Sequence, residues 1–183
     1  IVGRPAVDVG VGGEEGPRIL QRDEHGASDV AYAGFGEGEG LSAHDGTFLR
    51  STDAGATWSD LGTPGLFDFA LNPSDPEIVL GTQQSGPVRS TDGGATFQPI
   101  PDAPLLAFLA WTGTTVYAVA TDNTVQVSTD SGATWEQVGQ LEGQPQALGA
   151  DGDHVVALAG STIWDSTDGG RTFAPRITDL AAH

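Results

Sequence analysis

The sequence contains no cysteine, no methionine and no lysine, so all seven of its basic residues are arginine. Without cysteine, a disulfide framework and thiol chemistry are both excluded. No apolar run approaches the length that a transmembrane helix needs, so we expect no membrane insertion. The sequence contains 25 acidic residues and only seven basic ones. The resulting formal net charge of −18 makes nucleic acid an unfavourable partner.

Glycine, in contrast, is abundant: the 183 residues include 27 glycines, with 11 prolines and many short apolar runs. This composition is typical of a turn-rich, all-β domain. One octapeptide recurs four times, starting at Ser51, Ser90, Ser128 and Ser166, so that successive copies begin 39, 38 and 38 residues apart. A constant period of this length is typical of solenoids and propellers.

The copies share a serine, an aspartate, a glycine, a threonine and an aromatic residue at fixed positions. The serine and aspartate side chains can accept hydrogen bonds from backbone N–H groups a few residues further on, and glycine tolerates a positive φ. Threonine and an aromatic ring suit the start of the next strand. We therefore interpret the copies as structural turns rather than binding sites, formed by Ser51, Asp53, Gly55, Thr57 and Trp58; Ser90, Asp92, Gly94, Thr96 and Phe97; Ser128, Asp130, Gly132, Thr134 and Trp135; and Ser166, Asp168, Gly170, Thr172 and Phe173.

The octapeptide resembles the Asp box, Ser-x-Asp-x-Gly-x-Thr-Trp, the BNR repeat of sialidases, sortilin-type receptors, photosystem-assembly propellers and bacterial glycosyl hydrolase-like propellers. The resemblance covers essentially the whole chain. It implies an all-β fold, a β-propeller of four-stranded antiparallel blades, in which each box is the turn between the third and fourth strands. It also implies that the boxes share one face of the propeller, here called the box face, and that ligands bind on the opposite, top face.

The period divides the chain into a single propeller domain with blades near residues 28–62, 63–101, 102–139 and 140–176. Residues 1–27 fit the repeat as well, with Glu14 standing where the boxes have aspartate and residues 18–22 as a fourth strand. Residues 177–183 read as one more innermost strand. We therefore predict five blades, the fifth shared by residues 1–27 and 177–183; the alternative is an arc of a six- or seven-bladed propeller.

Three carboxylates, Asp29, Asp68 and Asp179, fall at the start of predicted innermost strands, and Gln146 occupies a similar place. On the top face such carboxylates could raise one another's pKa, as acid/base pairs do, which makes the three aspartates candidate catalytic residues and Gln146 a candidate ligand-binding residue. The alternative is that each aspartate closes a turn through backbone N–H groups. No metal site is predicted, because the four histidines show no ligand spacing.

The arginines divide into two groups. Arg50, Arg89 and Arg171 adjoin or lie within the boxes, which assigns them to the box face and makes them poor candidates for a ligand site. The remaining candidates, predicted near the top ends of strands, could together hold a carboxylate by bidentate hydrogen bonds, as in sialidases; they are Arg4, Arg22 and Arg176. The Phe/Tyr-Arg-Ile-Pro motif of sialidases is missing, however, with only a weak echo at residues 2–5.

Two functions follow from the resemblance. The first is a non-catalytic binding or assembly module that takes a protein or carbohydrate ligand on the top face and needs no cofactor. Its location would be outside the cytoplasm, because most propellers with these repeats are exported. The alternative is a glycoside hydrolase that uses the top-face carboxylates.

Overall fold

The computed structural model describes the backbone of residues 19–22 and 31–34, and backbone and side chains of residues 47–53 and 55–177. These ranges contain sixteen β-strands and no helix, hence no helix long and apolar enough to cross a membrane. The strands form four four-stranded antiparallel sheets, and within each sheet they neighbour one another in chain order. The all-β prediction is therefore confirmed.

Each sheet is here called a blade, numbered along the chain. Blade 1 consists of β1 (Ile19–Arg22), β2 (Ala31–Gly34), β3 (Phe48–Ser51) and β4 (Ser59–Asp60). Blade 2 consists of β5 (Asp68–Asn72), β6 (Asp75–Gln83), β7 (Gly86–Ser90) and β8 (Gln98–Pro99). Blade 3 consists of β9 (Leu106–Thr112), β10 (Thr115–Ala120), β11 (Thr124–Ser128) and β12 (Glu136–Gln140). Blade 4 consists of β13 (Pro145–Asp151), β14 (His154–Ala159), β15 (Thr162–Ser166) and β16 (Ala174–Ile177).

The blades stand side by side, because the first strand of each contacts the first strand of the next: β1 contacts β5, β5 contacts β9, and β9 contacts β13. Every octapeptide joins a third strand to a fourth. The boxes share their face with the turns between first and second strands, since Gly93 N donates to Glu77 O (2.9 Å) and Gly169 N donates to Asp153 O (3.0 Å). The remaining loops belong to the top face.

The hydrophobic core lies between consecutive blades. Phe48 of blade 1 packs with Phe69, Leu71 and Val79 of blade 2. Blades 2 and 3 meet through a second cluster, and blades 3 and 4 through a third. The second consists of Ala70, Leu80, Leu106, Leu109, Val116, Ala118 and Ala120, and the third of Val119, Val125, Leu141, Ala157 and Ala159. Burying such faces against one another is what makes the four sheets one body.

Blade 1 differs from the predicted division of the chain. Residues 18–22 were expected to end the blade of residues 1–27, and residues 29–33 to open the next blade. Instead β1 pairs with β2 in the register Ile19↔Gly34, so this blade reaches back to Ile19 and β2 is its second strand. The reason is a longer connection: 20 positions separate Ala31 from its partner Ser51, against 11 between Val79 and Ser90.

The last described strand also shifts a predicted boundary. Ile177 pairs with Ile163 and ends β16, so it belongs to blade 4 and does not open an innermost strand. Residues 1–18 and 178–183 lie outside the described residues. The shared fifth blade, and with it the number of blades, therefore stays a prediction.

Candidate functional site

The four boxes share one hydrogen-bond network. In the box of blade 3, the Ser128 hydroxyl accepts hydrogen bonds from Gly132 N (2.9 Å) and Asp130 N (3.4 Å) and donates to Asp130 Oδ1 (2.8 Å). Asp130 in turn accepts from Thr134 N (2.9 Å) and from the Thr134 hydroxyl (2.6 Å). The bonds agree within 0.2 Å in the other three boxes.

These bonds set the ionisation of the box aspartates. The Thr134 hydroxyl, followed by the Thr134 backbone N–H, lowers the pKa of Asp130 from 3.8 to about 2. The pKa of each of the other box aspartates falls to about 2 in the same way, through the equivalent threonine: Asp53, Asp92 and Asp168. A carboxylate that is held ionised by its own turn is poorly suited to proton transfer.

The box glycines of blades 2, 3 and 4 each lie against a side chain of the preceding blade. A Cβ on Gly94 would lie 2.5 Å from Phe48 Cε1, one on Gly132 would lie 2.6 Å from Leu80 Cδ2, and one on Gly170 would lie 2.9 Å from Val125 Cγ1. All three glycines have a positive φ, which alone disfavours a larger residue. The boxes therefore close a turn and seal a blade interface, which agrees with their predicted structural role.

On the top face the described candidate is Asp68, the first residue of β5. Its Oδ2 accepts a hydrogen bond from Leu109 N in the innermost strand of the next blade (2.8 Å), and its own N donates to the Thr82 hydroxyl (3.1 Å). Burial raises the pKa of Asp68 from 3.8 to about 6, although the N–H groups of Leu109 and Phe69 oppose the rise. A carboxyl that titrates near pH 6 is suited to acid/base chemistry.

Asp68 does not recur in the other described blades. It pairs with Thr82, three residues beyond Val79, which lies opposite the box serine Ser90. The pairs at the same distance from the other box serines are Ile19↔Gly34, Phe108↔Val119 and Ala147↔Leu158. The other three positions therefore hold Ile19, Phe108 and Ala147. Burial is the largest cause of the raised Asp68 pKa, and no second carboxylate of the described residues contributes. Asp29 and Asp179 lie outside the described residues, so a carboxylate pair on the top face stays a prediction.

The candidate ligand-binding residues are not brought together within the described ranges. Gln146 lies at a register shift of β13, and its exposed side-chain N–H donates to Gly160 O in a top-face turn (2.9 Å). Arg22 ends β1 opposite Ala31, which in turn pairs with the box serine Ser51, so Arg22 is at the box-face end and not at the predicted top end. Arg4 lies outside the described residues.

Arg176 belongs to a cluster in blade 4 that the sequence did not reveal. Its Nε donates to Asp165 Oδ2 (2.6 Å), and His154 Nε2 bonds the other oxygen of the same carboxylate. The bonds from His154 and then Arg176 lower the pKa of the buried Asp165. The guanidinium of Arg176 thus turns back toward the residue before box serine Ser166. The sequence contains one weak indication of this cluster: Asp165 stands directly before the box serine, where blades 1 and 2 have an arginine.

A pair of exposed apolar side chains on the top face was also missed. Phe67 and Leu105 each precede an innermost strand, β5 and β9, and they are 44% and 51% exposed. The same strands carry Asp68 and its partner Leu109. In the sequence, each of these residues is a large apolar residue at the end of a loop, which could have indicated an exposed side chain. The periodicity of apolar residues instead assigns such a residue to the buried face of the following strand.

Comparison with known proteins identifies the fold. No protein-family model matches the chain, and a search of curated proteins found no match. YCF48 from Cyanidioschyzon merolae matches with a TM-score of 0.55 at 23% identity, over 64% of this chain and 39% of that one. YCF48 bound to D1 peptide matches with a TM-score of 0.54 at 17% identity, over 60% of this chain and 40% of that one. The GH74 xyloglucanase from Xanthomonas campestris matches with a TM-score of 0.66 at 21% identity, over 87% of this chain and 30% of that one.

These matched structures are β-propellers, and the chain is accordingly a β-propeller, as the boxes predicted. Propellers similar to it include both YCF48 and glycoside hydrolase family 74 enzymes. The chain spans less than half the length of each of the three structures. At these identities the likeness shows the fold alone.

Proposed function

We propose that the chain is a non-catalytic binding module that takes a peptide segment of a partner protein on its top face. The observation that carries the proposal is the pair of exposed apolar side chains, Phe67 and Leu105, beside the innermost strands. Exposed apolar groups with a few polar groups nearby are typical of binding surfaces. The box face has fewer groups available for this ligand, since the repeated polar groups of the boxes are hydrogen-bonded within their own turns.

The charge of the chain limits the kinds of partner that it can bind well. A formal net charge of −18 attracts basic segments and speeds their association. Asp68 lies next to Phe67 and adds a carboxyl that is ionised above about pH 6. The fitting ligand is therefore a peptide with apolar side chains and positive charge. Another propeller of this fold, YCF48, has been solved bound to D1 peptide, which gives a precedent for the kind of ligand.

A location outside the cytoplasm is part of the proposal. It is supported by the resemblance of the boxes to those of exported propellers. Fractionation of the source cells, with antibodies against the chain, tests it directly. Recovery of the chain in the cytoplasmic fraction alone would contradict this part of the proposal and leave the binding surface unaffected.

The binding test uses two labelled dodecapeptides, one alternating leucine with arginine and the other glycine with serine. We expect saturable, salt-sensitive binding of the first peptide only. The double variant Phe67→Ser/Leu105→Ser should lose this binding. The control variant Ile177→Ser should keep it, because Ile177 is similarly exposed, at 47%, but lies in β16, the fourth strand of blade 4, and not beside an innermost strand. Equal binding by all three proteins, or none by the parent, would contradict the proposal.

The second candidate function is a glycoside hydrolase, which the raised pKa of Asp68 favours because a general acid needs such a value. A hydrolase also needs a second carboxyl, roughly 5–5.5 Å or 6.5–9.5 Å away according to mechanism. Xyloglucan and sialyllactose, incubated with the parent and with Asp68→Asn at pH 4–8, test this function. Turnover that Asp68→Asn abolishes would establish the hydrolase and overturn the non-catalytic proposal.

A further inference from the structure

Position by position, the residue just before the box serine differs between the blades: it is Arg50, Arg89, Val127 and Asp165 in blades 1 to 4. In blade 1, Arg50 reaches across the blade interface to Glu77 at the start of the second strand of blade 2. Its Nη1 donates to Glu77 Oε2 (3.3 Å), and its Nη2 is ion-paired with the other oxygen. This is a two-pronged pairing of guanidinium and carboxylate.

Arg89 repeats the arginine one blade later, but blade 3 does not repeat the glutamate. Val79 lies opposite Ser90, and Val116 lies opposite Ser128, so the residue in register with Glu77 is Thr114. The Arg89 side chain makes no hydrogen bond or ion pair with any part of the chain that the structure describes, and its Nε is buried without a partner. Leaving a buried N–H of a cation unpaired is costly.

Ser131 explains why Arg89 cannot lie as Arg50 does. The Arg50 guanidinium lies against Gly93, the fourth residue of the blade 2 box, where an added Cβ would overlap Arg50 Nη1. The fourth residue of the blade 3 box is Ser131, at φ 58°, and its Cβ occupies the corresponding space. The Arg89 guanidinium therefore cannot take the place that the Arg50 guanidinium takes, and Arg89 lines a pocket formed by the box and outermost strand of blade 2 and by Ala133 in the box of blade 3.

This Arg89 pocket has the chemistry of an anion site. Arg89 is the one charged residue among those that line it. Thr91 and Gln98 add polar side chains, and Ile100 and Pro101 form an apolar wall beside them. The pocket is open to solvent, so an incoming side chain can reach the guanidinium. A single arginine with an apolar wall suits one planar carboxylate, while a doubly charged phosphate would meet greater repulsion from a chain of charge −18.

We propose that the Arg89 pocket binds a glutamate or aspartate side chain of a partner protein, and that this carboxylate takes the place that Glu77 takes on Arg50. The site lies on the box face, so it is separate from the top-face surface and does not depend on it. It assigns a ligand role to an arginine that its position beside a box makes a poor candidate on sequence alone.

The test follows the arginine side-chain N–H signals of the full chain by nitrogen-15 NMR while a blocked octapeptide of glycine and serine with one glutamate is added. We expect a saturable shift of the Arg89 Nε–H signal. The twin peptide with glutamine should cause a shift at least tenfold smaller at equal concentration. The variant Arg89→Gln should lose binding at least tenfold, and Arg171→Gln, which removes the same charge from the box of blade 4, should keep it.

A second variant distinguishes loss of the binding site from loss of folding. Ser131→Gly/Thr114→Glu restores the glycine and the glutamate of the first interface, so Arg89 should gain an internal partner. Its Nε–H signal should move without peptide, and peptide binding should fall at least tenfold although Arg89 is still present. Equal shifts with the two peptides, binding that survives in both variants, or no saturable shift up to about 10 mM peptide would each overturn the proposal.

Discussion

The two faces of this propeller treat the same amino acid in opposite ways. On the box face, Asp130 is exposed, and its pKa is nevertheless lowered to about 2, because its own turn supplies the donors. On the top face, Asp68 is largely buried, and its pKa is raised to about 6, because burial removes the carboxylate from water and the N–H groups of Leu109 and Phe69 only partly offset that cost. The comparison shows that the ionisation of each carboxyl is decided by the balance between its local hydrogen-bond donors and its burial.

The two faces should therefore respond to pH in opposite directions. A box aspartate has a folded-state pKa below the unfolded value, so its contribution to stability is present above pH 4 and lost as pH falls from 4 to 2. Asp68 has a folded-state pKa above the unfolded value, so its contribution is present below about pH 4 and lost as pH rises from 4 to 6. The variants Asp68→Asn and Asp130→Asn separate these two contributions.

The largest effect is expected from Gly132→Ala, which breaks a box without touching any carboxylate. The new Cβ would lie 2.6 Å from Leu80 Cδ2 at φ 81°, so strain and overpacking should together reduce the free energy of unfolding by about 2–4 kcal/mol. Urea unfolding followed by tryptophan fluorescence measures it. Gly113→Ala, with φ 53° and nothing within 4 Å of its Cβ, is the control and should lose clearly less.

The next effect concerns the top face alone. Since one pKa unit corresponds to about 1.4 kcal/mol, the parent should lose up to about 3 kcal/mol of unfolding free energy, through Asp68, between pH 4 and pH 6. Asp68→Asn should be free of this loss, because an amide oxygen can still accept the Leu109 N–H. Parallel urea titrations at pH 4, 5, 6 and 7 measure the difference, and parallel pH profiles for the two proteins would contradict the assignment.

A smaller effect is expected from Ser128→Ala on the box face. The serine is 2% exposed, and its loss leaves Gly132 N without its acceptor, which should reduce the free energy of unfolding by about 1–2 kcal/mol at every pH above 4. Ser74→Ala is the control, since Ser74 lies exposed in a turn and, among the residues that the structure describes, only its backbone N–H makes a hydrogen bond. Equal stability of the two variants would show that the box serines are dispensable.

The smallest effect is expected from Asp130→Asn, which leaves the fold of the box largely in place. One amide oxygen can replace one carboxylate oxygen, but the charge that fixes the low pKa is gone. The variant should therefore lose less stability than the parent as the pH falls from 4 to 2. Acid titration followed by tryptophan fluorescence measures the slope, and an unchanged slope would mean that Asp130 does not contribute to acid unfolding.

The sequence predicted what local contacts determine. The box bonds join residues at most four positions apart, so the repeat of Ser-x-Asp-x-Gly-x-Thr predicted the turns and the four-stranded blades correctly. The boundary of blade 1 was wrong because a longer connection between β2 and β3 broke the period. Contacts between blades depend on the register of strands about forty residues apart, as between Asp68 and Leu109, and no local pattern shows that register.

The glycine contacts between blades also have a direction. In blades 2 to 4 the box glycine covers a side chain of the blade before it: Gly94 covers Phe48, Gly132 covers Leu80, and Gly170 covers Val125. On a ribosome, the earlier residue of each pair emerges first and stays uncovered until about one further repeat has been made. We therefore expect the nascent propeller to carry one open apolar flank, which moves along the chain with synthesis.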